Sequence, residues 1–169
     1  MPKIIRINAG VPQVMDDDWE LVRAAELASA CEPHRKIVPL SYFRSMLEEH
    51  RPSNIQAVWI SPDDDFESLV PELRSMKVIA VDFPTFRDGR GYSVATLLRS
   101  RYQWDGELRA IGDVLRDQLN YMRRCGFDSF AVRADKDIDD AIKSFNHYSV
   151  KYQGAVDDPL PLFRRRGGL

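Results

Sequence analysis

The chain has 169 residues, of which 44% are hydrophobic and 30% are charged, and its formal net charge is -2 at pH 7. This length suits a single domain, and the charge balance excludes nucleic-acid binding driven by overall charge. The longest apolar runs fall short of the roughly 18 residues that span a membrane, and the amino terminus lacks the apolar core of a signal peptide. Cys31 and Cys125 form no metal or redox motif. We therefore predict a cytoplasmic protein that binds neither membranes nor nucleic acid.

The amino-terminal region, residues 1–54, has mixed patterns with weak periodicity. Residues 4–7 and 11–14 flank Asn8-Ala9-Gly10, which predicts a small hairpin. The three aspartates at 16–18 are expected to cap a short helix that contains Trp19, Leu21 and Val22. A metal site is disfavoured there because adjacent carboxylates point apart.

The end of this region predicts one further strand and helix. Residues 36–40 form a short apolar run that is typical of a strand. Ser41 follows directly and predicts the N-cap of a helix that extends to about His50.

From residue 55 onward a regular unit repeats, in which a short strand rich in β-branched residues precedes an amphipathic helix. Such alternation predicts an α/β fold with a parallel sheet and right-handed crossovers, either a half-barrel or an open sheet. The predicted strands are 56–61, 78–82, 107–111 and 129–133, and the predicted helices are 67–76, 93–102, 115–125 and 138–148.

We interpret residues 1–169 as one α/β domain. It comprises the irregular region 1–54, the β/α units 55–148 and a tail 149–169. Prolines at 159 and 161 exclude a regular helix in the tail. The basic run Arg164–Arg166 is expected to be a solvated chain end, or else a docking segment for an acidic partner.

The loop at 83–93 is the first candidate for chemistry, because functional loops follow the carboxyl ends of parallel strands. Glycines, the N–H groups of a helix start and two guanidinium groups all favour a bound phosphate, sulfate, sulfite or carboxylate. The alternative is that Asp88 merely pairs with an arginine and Gly91 merely permits the turn. The candidate anion-binding residues are Arg87, Gly89, Arg90, Gly91, Tyr92 and Ser93, together with Arg109.

Two further charged residues fall on the next predicted strand and its end. Arg109 faces inward if the strand alternates, and Asp82, Glu107 or Asp113 could be its partner. We predict that Asp88 and Asp113 act as catalytic acid or base, although Asp113 could instead only cap a helix. The spacing of the carboxylates does not require a metal ion, so none is predicted.

Three long motifs, residues 82–95, 106–119 and 124–130, resemble the bacterial family known as domain of unknown function 934. The resemblance extends to residues 38–40, 63–65 and 148–153. Genes of that family lie beside those for sulfite reductase and cysteine biosynthesis, and its members are described as oxidoreductases involved in sulfite reduction. The resemblance therefore implies a role in sulfate assimilation, but it supplies no catalytic residues. The chain lacks a sequence fingerprint for flavin, nicotinamide, haem, iron–sulfur or dithiol chemistry, and its cofactor is left unassigned.

Two functional hypotheses follow from the sequence. The first is an accessory protein that binds sulfite reductase or its electron donor. The second is a small enzyme in which Arg87, Arg90 and Arg109 hold a sulfur oxyanion or phosphate beside Asp88 or Asp113. A homodimer is a further expectation, because a short parallel sheet leaves edges to cover.

Overall fold

A computed structural model describes residues 2–24, 35–50, 54–147 and 150–165. The fold is mixed α/β, with eight strands in one curled sheet that resembles half a barrel and with helices between strands. Cys31, the dipeptide 148–149 and Arg166, to which the sequence predictions refer, lie outside the described residues.

Eight strands and six α-helices are assigned within these ranges. The strands are β1 (Lys3–Asn8), β2 (Val11–Asp16), β3 (Glu20–Leu21), β4 (Lys36–Pro39), β5 (Ala57–Ile60), β6 (Val78–Phe83), β7 (Glu107–Gly112) and β8 (Ser129–Phe130). The helices are α1 (Leu40–Glu48), α2 (Val70–Leu73), α3 (Arg90–Thr96), α4 (Leu119–Cys125), α5 (Ile138–Ala141) and α6 (Leu162–Arg165). A π-helical turn, Leu97–Arg101, extends α3, and 3-10 turns lie at Glu67–Leu69, Arg116–Gln118 and Ile142–Asn146.

Strands β3 to β8 lie side by side in chain order, and each pairs in parallel with the next. Because crossovers between adjacent parallel strands normally have one hand, strands in this order place their connecting helices on one face of the sheet. The main core therefore forms between that face and the helices, with fully buried residues such as Val81, Leu108 and Phe130. Strand β1 runs antiparallel to β8 and covers its edge, and β2 completes the sheet.

The predicted amino-terminal hairpin is confirmed by the antiparallel pairing of β1 with β2. Its turn places Ala9 at φ 47° and Gly10 at φ 82°. The helix predicted after the aspartates at 16–18 is wrong, because Glu20 and Leu21 pair with β4 as a strand. Hydrogen bonding to a distant strand outweighs the local capping signal here.

Other boundaries differ from the prediction by a few residues. Helix α1 begins at Leu40, before the predicted cap Ser41. The helix predicted at 67–76 is a 3-10 turn followed by one α-helical turn that ends at Leu73. Strand β8 ends at Phe130 rather than at 133. The prediction that the tail contains no helix is wrong, because α6 begins directly after Pro161, where a proline can precede a helix without interrupting it. Element boundaries depend on tertiary contacts more than on periodicity, so the element types are predicted better than their ends.

The helix-free face of the sheet is crossed by a short segment, residues 17–19. It connects Asp16, the end of edge strand β2, to Glu20, the start of the opposite edge strand β3. With only three residues between them, these two Cα atoms lie within about 15 Å of each other. The sheet must therefore curl so that its edges approach, and a second apolar cluster fills the concave face beneath Trp19.

Arg109 anchors the crossing segment. Only 1% of its surface is exposed. Its Nη1 donates to both carboxylate oxygens of Asp17 at 2.9 and 2.8 Å, and its Nε and Nη2 donate to Glu107 Oε1 at 3.1 and 2.8 Å. Glu107 Oε2 accepts a further hydrogen bond from Arg6 at 2.5 Å. A buried guanidinium requires such pairing, since an isolated buried charge is very costly.

We expect Arg109→Met to lower the free energy of unfolding by roughly 3 kcal/mol, because it leaves the Asp17 carboxylate buried without its partner. Urea unfolding followed by circular dichroism measures this loss. Arg101→Met is the matched control, because Arg101 lies 3.7 Å from Glu67 with both side chains exposed, and such pairs contribute about 1 kcal/mol or less. Equal losses in the two variants would contradict the anchoring role.

Asp128 follows α4 and is a second charged residue in a partly buried position. Its Oδ1 accepts the Leu108 N–H at 2.9 Å, and its Oδ2 accepts Arg99 Nη2 at 2.8 Å. Burial raises the pKa of Asp128 to about 6, although the charge of Arg99 and the Leu108 N–H oppose the rise. The folded protein therefore holds this proton more tightly than the unfolded chain does.

We expect the protein to lose stability relative to Asp128→Asn as the pH rises from about 4 to about 7. In this interval the folded state binds more protons at Asp128 than the unfolded state, so a rise in pH favours unfolding. Urea unfolding of both proteins across the interval measures the difference. Parallel pH profiles would show that the pKa of Asp128 is not raised.

Candidate functional site

The loop between β6 and α3 is held by its own side chains. Asp88 Oδ1 accepts the Arg90 N–H at 3.1 Å, and the Thr85 carbonyl accepts the Asp88 N–H at 3.0 Å. Arg90 donates through Nε and Nη2 to Asp88 and through Nη1 to Asp63 Oδ1, the last at 2.5 Å. Asp88 therefore pairs with an arginine, and the binding of an anion by this loop stays a prediction.

The charge of Arg90 is therefore neutralised by Asp88 and Asp63. Hydrogen bonding from Arg90 lowers the pKa of Asp88, and hydrogen bonding to Asp88 and then to Asp63 raises the pKa of Arg90. A carboxylate with a lowered pKa is a weak base. The catalytic role of Asp88 stays a prediction, and an anion at Arg90 would compete with two carboxylates of the chain.

Packing rather than an unusual backbone angle explains Gly91, whereas neither constraint is found at Gly89. Neither Gly89 nor Gly91 has a positive φ. A Cβ at Gly91 would lie 2.7 Å from the ring of Phe83, whereas a Cβ at Gly89 would meet only a carbon of Tyr92 at 3.8 Å. Gly91 thus allows α3 to pack on the buried Phe83 ring.

Asp113 fastens the same loop from the end of β7. Its Oδ2 accepts the Phe86 N–H at 2.9 Å, and its Oδ1 accepts Arg133 Nη1 at 2.7 Å. Arg133 also donates to both oxygens of Asp135. The predicted helix cap at Asp113 is wrong, because the following 3-10 turn has Leu115 at its N-cap. The acid–base role of Asp113 stays a prediction, and its oxygens already accept these two hydrogen bonds.

A cleft of about 340 Å³ opens at the carboxyl ends of β6 and β7. Arg23 forms one wall, where its Nη1 donates to Asp82 Oδ1 at 2.7 Å and its guanidinium lies 5.4 Å from the ring of Trp59. Sequence reasoning missed Arg23, because its partners are 36 and 59 positions away and no local pattern connects them. The other lining residues are Phe83, Pro84, Gly112, Asp113 and Arg133.

Gly112 is required at the floor of this cleft. Its φ is +92°, and a Cβ there would lie 2.4 Å from the Phe83 carbonyl oxygen and 2.7 Å from Asp82 Oδ1. The sequence feature that could have indicated this requirement is a glycine at the last position of a strand, directly before an aspartate. Gly112 therefore allows β7 to approach the β6 backbone closely where the loop begins.

We expect Gly112→Ala to lower the free energy of unfolding by about 3 kcal/mol or more, because it adds a backbone clash to an unfavourable φ. Thermal and urea unfolding measure this change. Gly10→Ala is the control, since Gly10 has φ +82° but no heavy atom within 4 Å of the position that a Cβ would occupy. If the two variants lose the same stability, the close approach at Gly112 has no energetic role.

The predicted anion-binding residues do not form one cluster. Arg109 is engaged with Asp17 and Glu107 on the helix-free face. Arg87 is exposed and makes no ion pair within the described ranges of the chain, and its guanidinium lies 5.5 Å from the ring of Phe86. Ser93 is also exposed, on the first turn of α3. The three predicted arginines therefore have different environments, and only Arg87 faces solvent without a carboxylate partner among the described residues.

Tyr92 connects the loop to an exposed aromatic surface. Its ring centroid lies 5.1 Å from that of Phe83 and 4.9 Å from that of Tyr121 on α4, and burial raises the pKa of Tyr92 to about 12. Phe86 and Tyr121 are 52% and 58% exposed. We call Phe86, Arg87, Tyr92 and Tyr121 the aromatic patch.

The two sides of the aromatic patch are tied together by a hydrogen bond. Gln118, one helical turn before Tyr121, donates from Nε2 to the Phe86 carbonyl at 3.1 Å. Its Oε1 accepts the Leu115 N–H at 3.1 Å. The loop that carries Phe86 is therefore fastened to the 3-10 turn that leads into the helix of Tyr121.

The remaining candidate groups offer little chemistry. Within the described ranges no group of three or more His, Cys, Asp or Glu side chains could hold a metal ion, and no helix there is long and apolar enough to cross a membrane. Cys125 is free and 8% exposed, and burial raises the pKa of its thiol. These properties favour a packing role for Cys125 over a nucleophilic one.

Comparison with the sequence models of protein families gives a match that covers most of the chain. The sequence model of the family described as "Bacterial protein of unknown function (DUF934)" matches residues 57–163. The chain belongs to this family. The match runs from β5 into α6, so it contains the aromatic patch and the cleft residues on β6 and β7 but excludes β1 to β4. The search of curated proteins finds no match to the chain.

Proposed function

We propose that this protein is an accessory factor of assimilatory sulfite reduction that binds sulfite reductase or its electron donor. The biological setting comes from the resemblance, since genes of this family lie beside those for sulfite reductase and cysteine biosynthesis. The observation that carries the binding role is the aromatic patch, which is exposed and lies within the matched region.

The composition of the patch suits a protein partner. Aromatic residues and arginine dominate the energetics of protein interfaces, because each offers a large contact area together with a polar or charged group. Phe86 and Tyr121 supply exposed rings, and Arg87 supplies a guanidinium that can pair with a carboxylate of the partner.

The patch is also held in place before binding. Asp113 accepts a hydrogen bond from the Phe86 N–H, and Gln118 donates one to the Phe86 carbonyl. The Asp88–Arg90 pair fixes the rest of the loop. Binding a partner then costs less conformational entropy than ordering a free loop would cost.

We expect Phe86→Ala and Tyr121→Ala each to weaken the complex with sulfite reductase or its electron donor by roughly tenfold or more, as truncation of an interface hot spot does. Biolayer interferometry with the immobilised protein measures this effect, with the subunits of sulfite reductase and the electron donor offered as separate analytes.

Phe163→Ala is the matched control, because Phe163 is 57% exposed but lies on α6, outside the patch. This variant should bind as the unmodified protein does. The proposal fails if none of the analytes binds, or if the Phe86 and Tyr121 variants bind as tightly as the control.

A second candidate function is a small enzyme that holds a sulfur oxyanion or phosphate at the loop 83–93. The observation in its favour is Arg87, whose guanidinium has no carboxylate partner among the described residues. It ranks second because Arg90 and Arg109 are already bound by carboxylates, which an anion would have to displace.

Calorimetric titration with sulfite and with phosphate separates the two candidates. An enzyme of this kind would bind one of the anions, lose that binding in Arg87→Ala and retain it in Phe86→Ala. A docking protein would show no anion binding in any of the three proteins, and its partner binding would depend on Phe86.

A further inference from the structure

The cleft at the carboxyl ends of β6 and β7 contains a carboxylate oxygen without a donor. Asp82, one of the lining residues, is 8% exposed, and its Oδ1 accepts Arg23 Nη1 at 2.7 Å. Its Oδ2 accepts no hydrogen bond from the described residues. The fold does not seal this oxygen, as it does the unpaired Ser129 Oγ, and 11% of the Asp82 side chain stays accessible. A largely buried carboxylate oxygen is costly without a donor, so a ligand in the cleft that donates to Oδ2 would be stabilised.

Arg23 forms one side of the cleft and has free donors. Trp59 Nε1 donates to the Val22 carbonyl at 2.9 Å, and the Arg23 guanidinium lies 5.4 Å from the centroid of the Trp59 ring. A guanidinium has five N–H groups, and only one of those of Arg23 donates to a described residue. The indole therefore positions Arg23, and its other N–H groups are left for a ligand.

Arg133 forms the opposite side of the cleft. It follows β8, whereas Trp59 lies on β5, and the ends of β6 and β7 lie between them. Its Nη1 donates to Asp113 at 2.7 Å, and its Nε and Nη2 donate to Asp135 at 2.6 and 3.0 Å. These contacts use three of the five N–H groups. Because the side chain is 40% exposed, the other two can reach a ligand.

The charges of the described lining match a ligand that carries both signs. Two arginines, Arg23 and Arg133, and two aspartates, Asp82 and Asp113, give it a formal charge of zero. An anion without a positive group would be repelled by the aspartates, and a cation without a negative group by the arginines. Both oxygens of Asp113 already accept hydrogen bonds, which leaves Asp82 Oδ2 as the acceptor for a positive group.

We propose that this cleft binds a small α-amino acid. The ammonium group donates to Asp82 Oδ2, and the carboxylate accepts hydrogen bonds from the free N–H groups of Arg133 and Arg23. The volume of about 340 Å³ is at the small end of the range for ligand pockets, and the exposed Pro84 offers an apolar contact for the ligand's side chain. The lining shares no residue with the aromatic patch, so this proposal is independent of partner docking.

Thermal unfolding of the intact protein with each of the standard amino acids in turn tests this proposal, because a ligand of the folded state raises the melting temperature. Calorimetric titration then compares the strongest stabiliser with two of its analogues, one without the ammonium group and one without the carboxylate. We expect each analogue to bind at least about tenfold more weakly, because each loses a charged hydrogen bond.

Asp82→Asn should weaken binding of the amino acid by about tenfold or more. It should not weaken binding of the analogue without the ammonium group, because only the negative partner is removed. Arg133→Gln should weaken binding of the amino acid by a similar factor, and it decides the test if Asp82→Asn does not fold. Asp105→Asn is the control, since Asp105 is exposed and lies outside the described lining.

Three results would each overturn the proposal. The first is that no standard amino acid raises the melting temperature or gives a heat of binding. The second is equal affinity for the amino acid and for its analogue without the ammonium group. The third is unchanged binding of the amino acid in folded Asp82→Asn or Arg133→Gln, which would locate its site elsewhere on the protein.

Discussion

The buried guanidinium of Arg109 organises the helix-free side of this fold. A charge that is 1% exposed is stable only where carboxylates surround it, and these come from Glu107 on its own strand and from Asp17 on the crossing segment. Because the crossing segment also joins the two edge strands, this ionic contact and the curl of the sheet depend on each other. The helices pack on only one face of the sheet, and a few residues of the amino-terminal region cover the opposite face.

The carboxyl edge of the sheet shows the same pairing of charges. Arg23, Arg90 and Arg133 there each have a carboxylate partner, and two of the partners, Asp88 and Asp113, also accept a backbone N–H that holds the loop in place. Asp113 illustrates the pattern, since it binds both the Phe86 backbone and Arg133. A charged edge of this kind gives a rigid loop with exposed aromatic rings, which is why we favour docking of a protein over capture of an oxyanion.

Much of the element order follows from local patterns. The β-branched apolar run at 78–82 and the alternating pattern at 107–111 predict strands that the structure contains, and Asn8-Ala9-Gly10 predicts the hairpin turn. Strand β3 was not predicted, because a segment of two residues has too few side chains to show a periodicity. The strand predicted at 129–133 is present as β8, but it is shorter than predicted. The candidate loop was located by the rule that functional residues follow the carboxyl ends of parallel strands. The aromatic patch also includes Tyr121, which is remote from this loop in the sequence.

The sequence by itself determined the α/β class, the positions of most strands and helices, the family and the loop 83–93 as the place to look. Only the tertiary structure decided which charges are paired, because an ion pair such as Asp17–Arg109 joins residues 92 positions apart and leaves no local trace. The same holds for Gly112, whose need for a small side chain arises from the backbone of a neighbouring strand. Local patterns follow from the geometry of one helix or strand, whereas the chemistry of a site follows from contacts between segments.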